Sequence, residues 1–138
     1  MLSKSQPYGL AISAFVWAAL LLSACAPAAG RSTVQYQAVA EDIISAIAEI
    51  GISIQPGASY NFFSINAIGE RFITLQANTT SGFSFFFGGG AIVLNFSAVQ
   101  NGDIVTLAAG NQGTSSGAAN DAITQIIDQL NIRFTRVR

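Results

Sequence analysis

The side chains able to do covalent or acid–base chemistry are few in this 138-residue chain. It has no histidine, and its one cysteine, Cys25, ends the run Leu22-Ser23-Ala24-Cys25. Lys4 is the one lysine, and the carboxylates are Glu41, Asp42, Glu49, Glu70, Asp103, Asp121 and Asp128. Without histidine, serine–histidine and cysteine–histidine pairs are excluded within one chain. Carboxylate pairs of the kind that hydrolyse glycosides remain available in principle, but these seven do not cluster in the sequence. A lone cysteine closes no internal disulfide. What Cys25 offers is a single thiol at a defined place.

That place is the end of an export signal. Lys4 supplies positive charge, Leu10 to Leu22 is apolar apart from Ser13, and small residues follow at Ser23 and Ala24. The stretch is shorter than the roughly 20 residues that cross a hydrocarbon core of about 30 Å, so a cleaved leader fits it better than a permanent span. Leu22, Ser23, Ala24 and Cys25 resemble the lipobox of bacterial lipoproteins. The resemblance implies that residues 1–24 are removed, that Cys25 becomes the N-terminus, and that it carries three acyl chains. Each buried CH2 contributes about 0.8 kcal/mol, and one chain alone gives only reversible attachment. Three would make attachment effectively permanent. Ala26-Pro27-Ala28 also has the small-x-small form of an ordinary signal-peptidase site. Cleavage there would leave a secreted chain beginning at Ala29.

Residues 26–32 have no apolar period and read as a short tether. About seven flexible residues span only about 15 Å, so residues 25–32 would hold the domain close to a bilayer. In Gram-negative lipoproteins the residue after the cysteine influences sorting, with Asp the usual retention signal; here it is Ala26. The resemblance therefore implies the outer membrane in a Gram-negative cell, and otherwise the extracytoplasmic face of the plasma membrane.

Processing would leave 114 residues, 138 less 24, a length suited to one core, and residues 33–138 are expected to form a single globular domain. It would also remove Lys4 and with it any serine–lysine dyad or Schiff-base lysine. Five arginines would then face seven carboxylates, a net charge of minus two. No strongly basic field for nucleic acid is present. With neither histidine nor free thiol, zinc lacks its usual nitrogen and sulfur ligands. No metal or cofactor site is expected.

Two helices and a sheet should build the domain. Tyr36, Val39, Ile43, Ile47 and Ile50 recur at helical spacing and predict a helix over 33–50, with Gly51 as its C-terminal cap. Glu41, Asp42 and Glu49 fall on the opposite face, where a solvated helix surface accounts for them. The period then changes to two, predicting strands over 60–68 and 71–78 joined at Gly69-Glu70, then over 83–87, 91–99 and 103–108. Asn101-Gly102 between apolar runs is the signature of a type I′ hairpin. Gly88-Gly89-Gly90 lacks the Gly-Lys-Ser/Thr ending of a phosphate loop and precedes a strand-like run, so it reads as a hairpin or bulge. The Phe83–Phe87 segment is apolar, uncharged and aggregation-prone if exposed during folding.

A polar loop over 110–117 leads to a second helix over 118–130, with Ala119, Ile123, Ile126, Ile127 and Leu130 as its stripe, Ser115 or Ser116 as its cap and Asp121 in its first turn. A last strand over 132–138 carries Arg133, Arg136 and Arg138. These three suit anionic headgroups or the protection of a sheet edge.

The element order predicts a two-layer α+β domain, a meandering antiparallel sheet of five to six strands with both helices packed on one face. Two functions fit. One is a non-catalytic, lipid-anchored envelope scaffold that docks another envelope protein. The other is a carrier for a small apolar ligand such as lipid, suggested by the nine phenylalanines that follow residue 24.

Overall fold

The computed structural model describes residues 32–80, 90–113 and 116–138. Within the compact unit Arg31–Arg138 the chain forms β1 (Ser32–Gln37), α1 (Ala40–Gly51), β2 (Ser64–Gly69), β3 (Phe72–Ala77), β4 (Ile92–Asn101), β5 (Ile104–Gly113), α2 (Ser116–Arg133) and β6 (Thr135–Arg136). The strands make one antiparallel sheet in the order β2-β3-β4-β5-β1-β6. Strands β2 to β5 form the expected meander, and β1 returns to pair beside β5. Both helices lie on one face of the sheet, α1 against β3 and β4, α2 against β4 and β5. The fold is α+β in two layers.

Alternation along the strands decides which side faces the helices. Burial alternates residue by residue through β3 and most of β4, and the register keeps each apolar row in line. Tyr36, Val105, Ile73, Leu75, Leu94, Phe96 and Leu107 are all buried, as are Ile43 and Ile47 of α1 and Ile126 and Leu130 of α2. Each fully buried Leu or Ile contributes roughly 1.5–3 kcal/mol. The other face carries uncharged polar residues, Gln35, Thr74, Gln76, Asn95, Ser97 and Thr106, with Thr74 Oγ1 donating to Asn95 Oδ1 at 2.9 Å and Gln35 Nε2 to Thr106 Oγ1 at 3.3 Å.

Several expected boundaries move. The helix expected over 33–50 is a strand followed by a helix. Val34 and Tyr36 are buried while Thr33 and Gln37 are exposed, a period of two, and β5 pairs with this segment throughout. Val39, expected in the apolar stripe, is 57% exposed. Gly51 does not adopt the left-handed backbone of a terminal cap. It is the last residue of α1 and is buried, and a Cβ there would collide with Leu75 Cδ1. Its small size, not its flexibility, fits it to this place.

The β4–β5 hairpin forms one residue later than the Asn-Gly signal suggests. Asn101 pairs with Ile104, leaving Gly102 and Asp103 as the loop, and only Gly102 has a positive φ, +58°. A type I′ turn needs two such residues. The polar stretch 110–113 continues β5, paired with Ile92–Asn95, instead of forming a loop. Helix α2 starts at Ser116, so Asp121 lies beyond its first turn, and it runs on to Arg133, reducing the last strand to Thr135–Arg136. The expected strand over 83–87, Gly88, Gly89 and Ser115 lie outside the described residues.

Candidate functional site

Leu22, Ser23, Ala24 and Cys25 lie outside the described residues, so the geometry concerns the domain alone. Two surface grooves gather four of its seven carboxylates. The larger, about 580 Å3, runs between the two helices and is lined by Glu49, Ile50, Ser53, Ile54, Gln125, Asp128, Gln129 and Arg133. Its side chains are set by helical spacing. Glu49 and Ser53 extend from the end of α1, and Gln125, Asp128 and Gln129 share one face of α2 because residues three and four apart are neighbours on a helix.

Arg133 Nη1 donates to Glu49 Oε2 at 2.8 Å and so ties the end of α2 to α1. Both side chains are well exposed, and a pair of this kind is worth at most about 1 kcal/mol. The groove therefore presents one satisfied ion pair, one further carboxylate and several amide and hydroxyl groups beside Ile50 and Ile54. These groups can hydrogen-bond polar atoms of a partner.

The second groove, about 360 Å3, is lined by Gln37, Ala38, Val39, Asp42, Gln100, Gly102, Asp103 and Phe134. Gln100 organises it. Its Oε1 accepts from the Ala40 N–H at 2.7 Å, while its Nε2 donates to the carbonyls of Gly102 at 2.7 Å and Ala38 at 3.1 Å. Val39, at the N-cap of α1, makes no side-chain cap bond. A glutamine sixty residues away in sequence thus supplies the cap that the local sequence lacks.

Of the seven carboxylates, the fold brings Glu49 and Asp128 to one groove and Asp42 and Asp103 to the other. Glu41, Glu70 and Asp121 line neither. Among the described residues no group of three or more acidic, histidine or cysteine side chains could hold a metal ion. The arginines expected to act together are separated in role: Arg133 is paired with Glu49, and Arg136 Nε donates to the Arg138 carbonyl at 3.3 Å.

The groove residues missed in the sequence, Ser53, Gln125, Gln129 and Gln100, are uncharged, and nothing in their spacing distinguishes them from ordinary surface residues. Among the described residues Tyr36 is the one titratable group with a clear displacement. Burial pushes its hydroxyl above the usual tyrosine value, nearby Arg136 opposes this and Asp128 adds to it. The Tyr36 hydroxyl donates to Asn131 Oδ1 at 3.0 Å, and its ring meets Phe134 edge-on at 6.3 Å. Among the described residues no helix is long and apolar enough to cross a membrane. No protein-family model, curated protein or solved structure matches this chain.

Proposed function

We propose that this chain is a non-catalytic, lipid-anchored protein of the bacterial cell envelope, held by acyl chains on Cys25 and serving as a docking module at the membrane surface. The observation that carries the reading is the order Leu22-Ser23-Ala24-Cys25 directly behind an apolar leader. The domain's surface suits docking. Both grooves set amides and carboxylates, Gln125, Asp128 and Gln129 in one and Gln37, Asp42 and Asp103 in the other, beside apolar Ile50, Ile54, Val39 and Phe134, a mixture of hydrogen-bonding and apolar groups of the kind that protein interfaces use. The space between sheet and helices is occupied by packed Ile, Leu, Phe and Tyr side chains.

Crosslinking in the native membrane, followed by detergent extraction, tests both halves of this reading. Wild-type protein should enter the detergent phase with residues 1–24 removed and carry a specific envelope protein with it, while Cys25→Ser should be recovered with residues 1–24 still attached and no acyl chains. Wild type recovered in the aqueous phase with residues 1–24 removed defeats the anchor. Stoichiometric lipid bound inside the domain, detected by mass spectrometry after extraction of Cys25→Ser, would replace docking with ligand carriage.

A further inference from the structure

The strand register fixes which residues share each end of the sheet. At one end Ser32 stands opposite Ala109, Gly113 and Ala77 stand opposite Ile92, and Tyr60 bridges Thr79 just beyond. The segment from Ile52 to Phe63 is bound to the same end, with the Phe63 N–H donating to the Ile54 carbonyl at 3.1 Å and the Asn61 N–H to the Asn78 carbonyl at 2.8 Å. At the other end Ile104 stands opposite both Gln37 and Asn101, beside the turn that holds Asp103.

Charge is sorted between the two ends. No charged residue occurs over 51–69, 72–80, 90–102 or 104–120, and α2, which starts at Ser116, reaches its first carboxylate, Asp121, only in its second turn. The other end collects Asp103, Arg136 opposite Tyr36, and Glu41 and Asp42 in the first turn of α1, whose Ala40 N–H is held by Gln100. Large apolar side chains are exposed in both regions, but their neighbours differ. Val39 shares its groove with Asp42 and Asp103, and Ile68 and Phe72 flank Glu70 and Arg71. Phe62 and Ile52, 57% and 51% exposed, lie in the uncharged segment.

From this sorting we infer that the uncharged end of the domain lies on the bilayer, with Phe62 and Ile52 in the boundary between headgroups and acyl chains. The inference rests on the acylation of Cys25. A lipid surface is the occupant because of where the chain enters: β1 begins at Ser32, at this end, and the seven Cα–Cα steps from Cys25 to Ser32 cover at most about 25 Å. The ten residues of β4 carry the opposite end roughly 30 Å farther along the sheet. Between Cys25 and Ser32 the one charged residue is Arg31, whose sign suits phosphate headgroups. Two apolar side chains suffice for the contact, since a short tether presents the domain to the bilayer at an effective concentration in the millimolar range. The groove lined by Gln37, Gly102 and Asp103 then faces away from the membrane, open to a partner.

Removal of residues 1–24 takes away Trp17, the one tryptophan, so a single tryptophan can report on either end. Acylated Phe62→Trp and Val39→Trp proteins, both substituted at exposed positions, are reconstituted into vesicles of phosphatidylcholine or of its dibrominated analogue, whose bromines quench on contact. A ring about 5–10 Å into the headgroup–acyl boundary should lose about half of its emission, as expected for Phe62→Trp, whereas Val39→Trp should lose less than about a tenth. Adding Phe62→Ser to Ile52→Trp should restore most of the emission that bromine removes from Ile52→Trp, with the protein still floating with the vesicles. Equal quenching of Phe62→Trp and Val39→Trp in protein that floats leaves the anchor standing and overturns the inference. So does stronger quenching of Val39→Trp, and so does blue-shifted but unquenched emission from Phe62→Trp, which would show that protein covers this end. Protein that does not float has lost the anchor, and the inference falls with it.

Discussion

Replacing Gln100 by methionine should destabilise the domain by about 2 kcal/mol, although the residue is neither charged nor fully buried. The figure follows from its three hydrogen bonds. The acceptor bond to the Ala40 N–H is the N-terminal cap of α1, and caps of this kind are worth about 1 kcal/mol. The two bonds from Nε2 hold the Ala38 and Gly102 carbonyls. Both carbonyls can return to water, so each loss costs only about 0.5 kcal/mol. For a domain of this size the sum lowers the melting temperature by about 8 °C, read by circular dichroism.

Gln100→Glu separates the contributions. It keeps an acceptor for Ala40 and adds a negative charge at a helix N-terminus, which is favourable, but it cannot donate to the two carbonyls. It should lie between wild type and Gln100→Met, about 1 kcal/mol below wild type. An exposed control, Gln129→Met, should stay within about 0.5 kcal/mol of wild type. The reasoning fails if Gln100→Met melts with wild type, or if Gln100→Glu is the worse of the two.

Gly51→Ala gains about 1 kcal/mol of helix propensity but drives its Cβ into Leu75, which is fully buried and has little room to yield. The net effect should be a loss of about 1 kcal/mol, and denaturant titration of Gly51→Ala, Leu75→Ala and the double variant should show that the two losses do not add. Tyr36 gives the pH dependence. Its hydroxyl ionises later in the folded chain than in the unfolded one, so its contribution is complete below about pH 10 and falls as the pH rises through the folded value. Wild-type stability should therefore decline more steeply above about pH 10 than that of Tyr36→Phe, which loses about 1 kcal/mol at neutral pH with its bond to Asn131. Glu49→Gln should cost less than about 0.5 kcal/mol, and less still in high salt, because its ion pair with Arg133 is solvent-exposed.

The sheet was legible where burial alternates strictly. Ile73, Leu75 and Ala77 announced β3, and the apolar runs on either side of Asn101-Gly102 announced the β4–β5 hairpin. The stripe of α2 was legible because Ala119, Ile126 and Leu130 keep helical spacing throughout. The first strand was hidden because Tyr36, Val39 and Ile43 satisfy a helical period as well as Val34 and Tyr36 satisfy a period of two, and pairing with β5, seventy residues away, decides between them.

The same cause hides the tail of β5. Gly110, Asn111 and Gln112 have weak strand propensity, and their pairing with β4 overrides it. The grooves were illegible for a related reason: Glu49 and Arg133 are 84 residues apart, and Gln100 meets Ala40 across 60. Contacts at such separations leave no local pattern.

The account as a whole rests on the thiol of Cys25, and the intact mass of protein extracted from its native membrane tests it most directly. The expected result is a chain lacking residues 1–24, and with them Trp17, whose mass exceeds that of residues 25–138 by a glyceryl group and acyl chains borne on Cys25, with Cys25→Ser left unprocessed. A chain that begins at Ala29, or one that carries an unmodified thiol at residue 25, would contradict it.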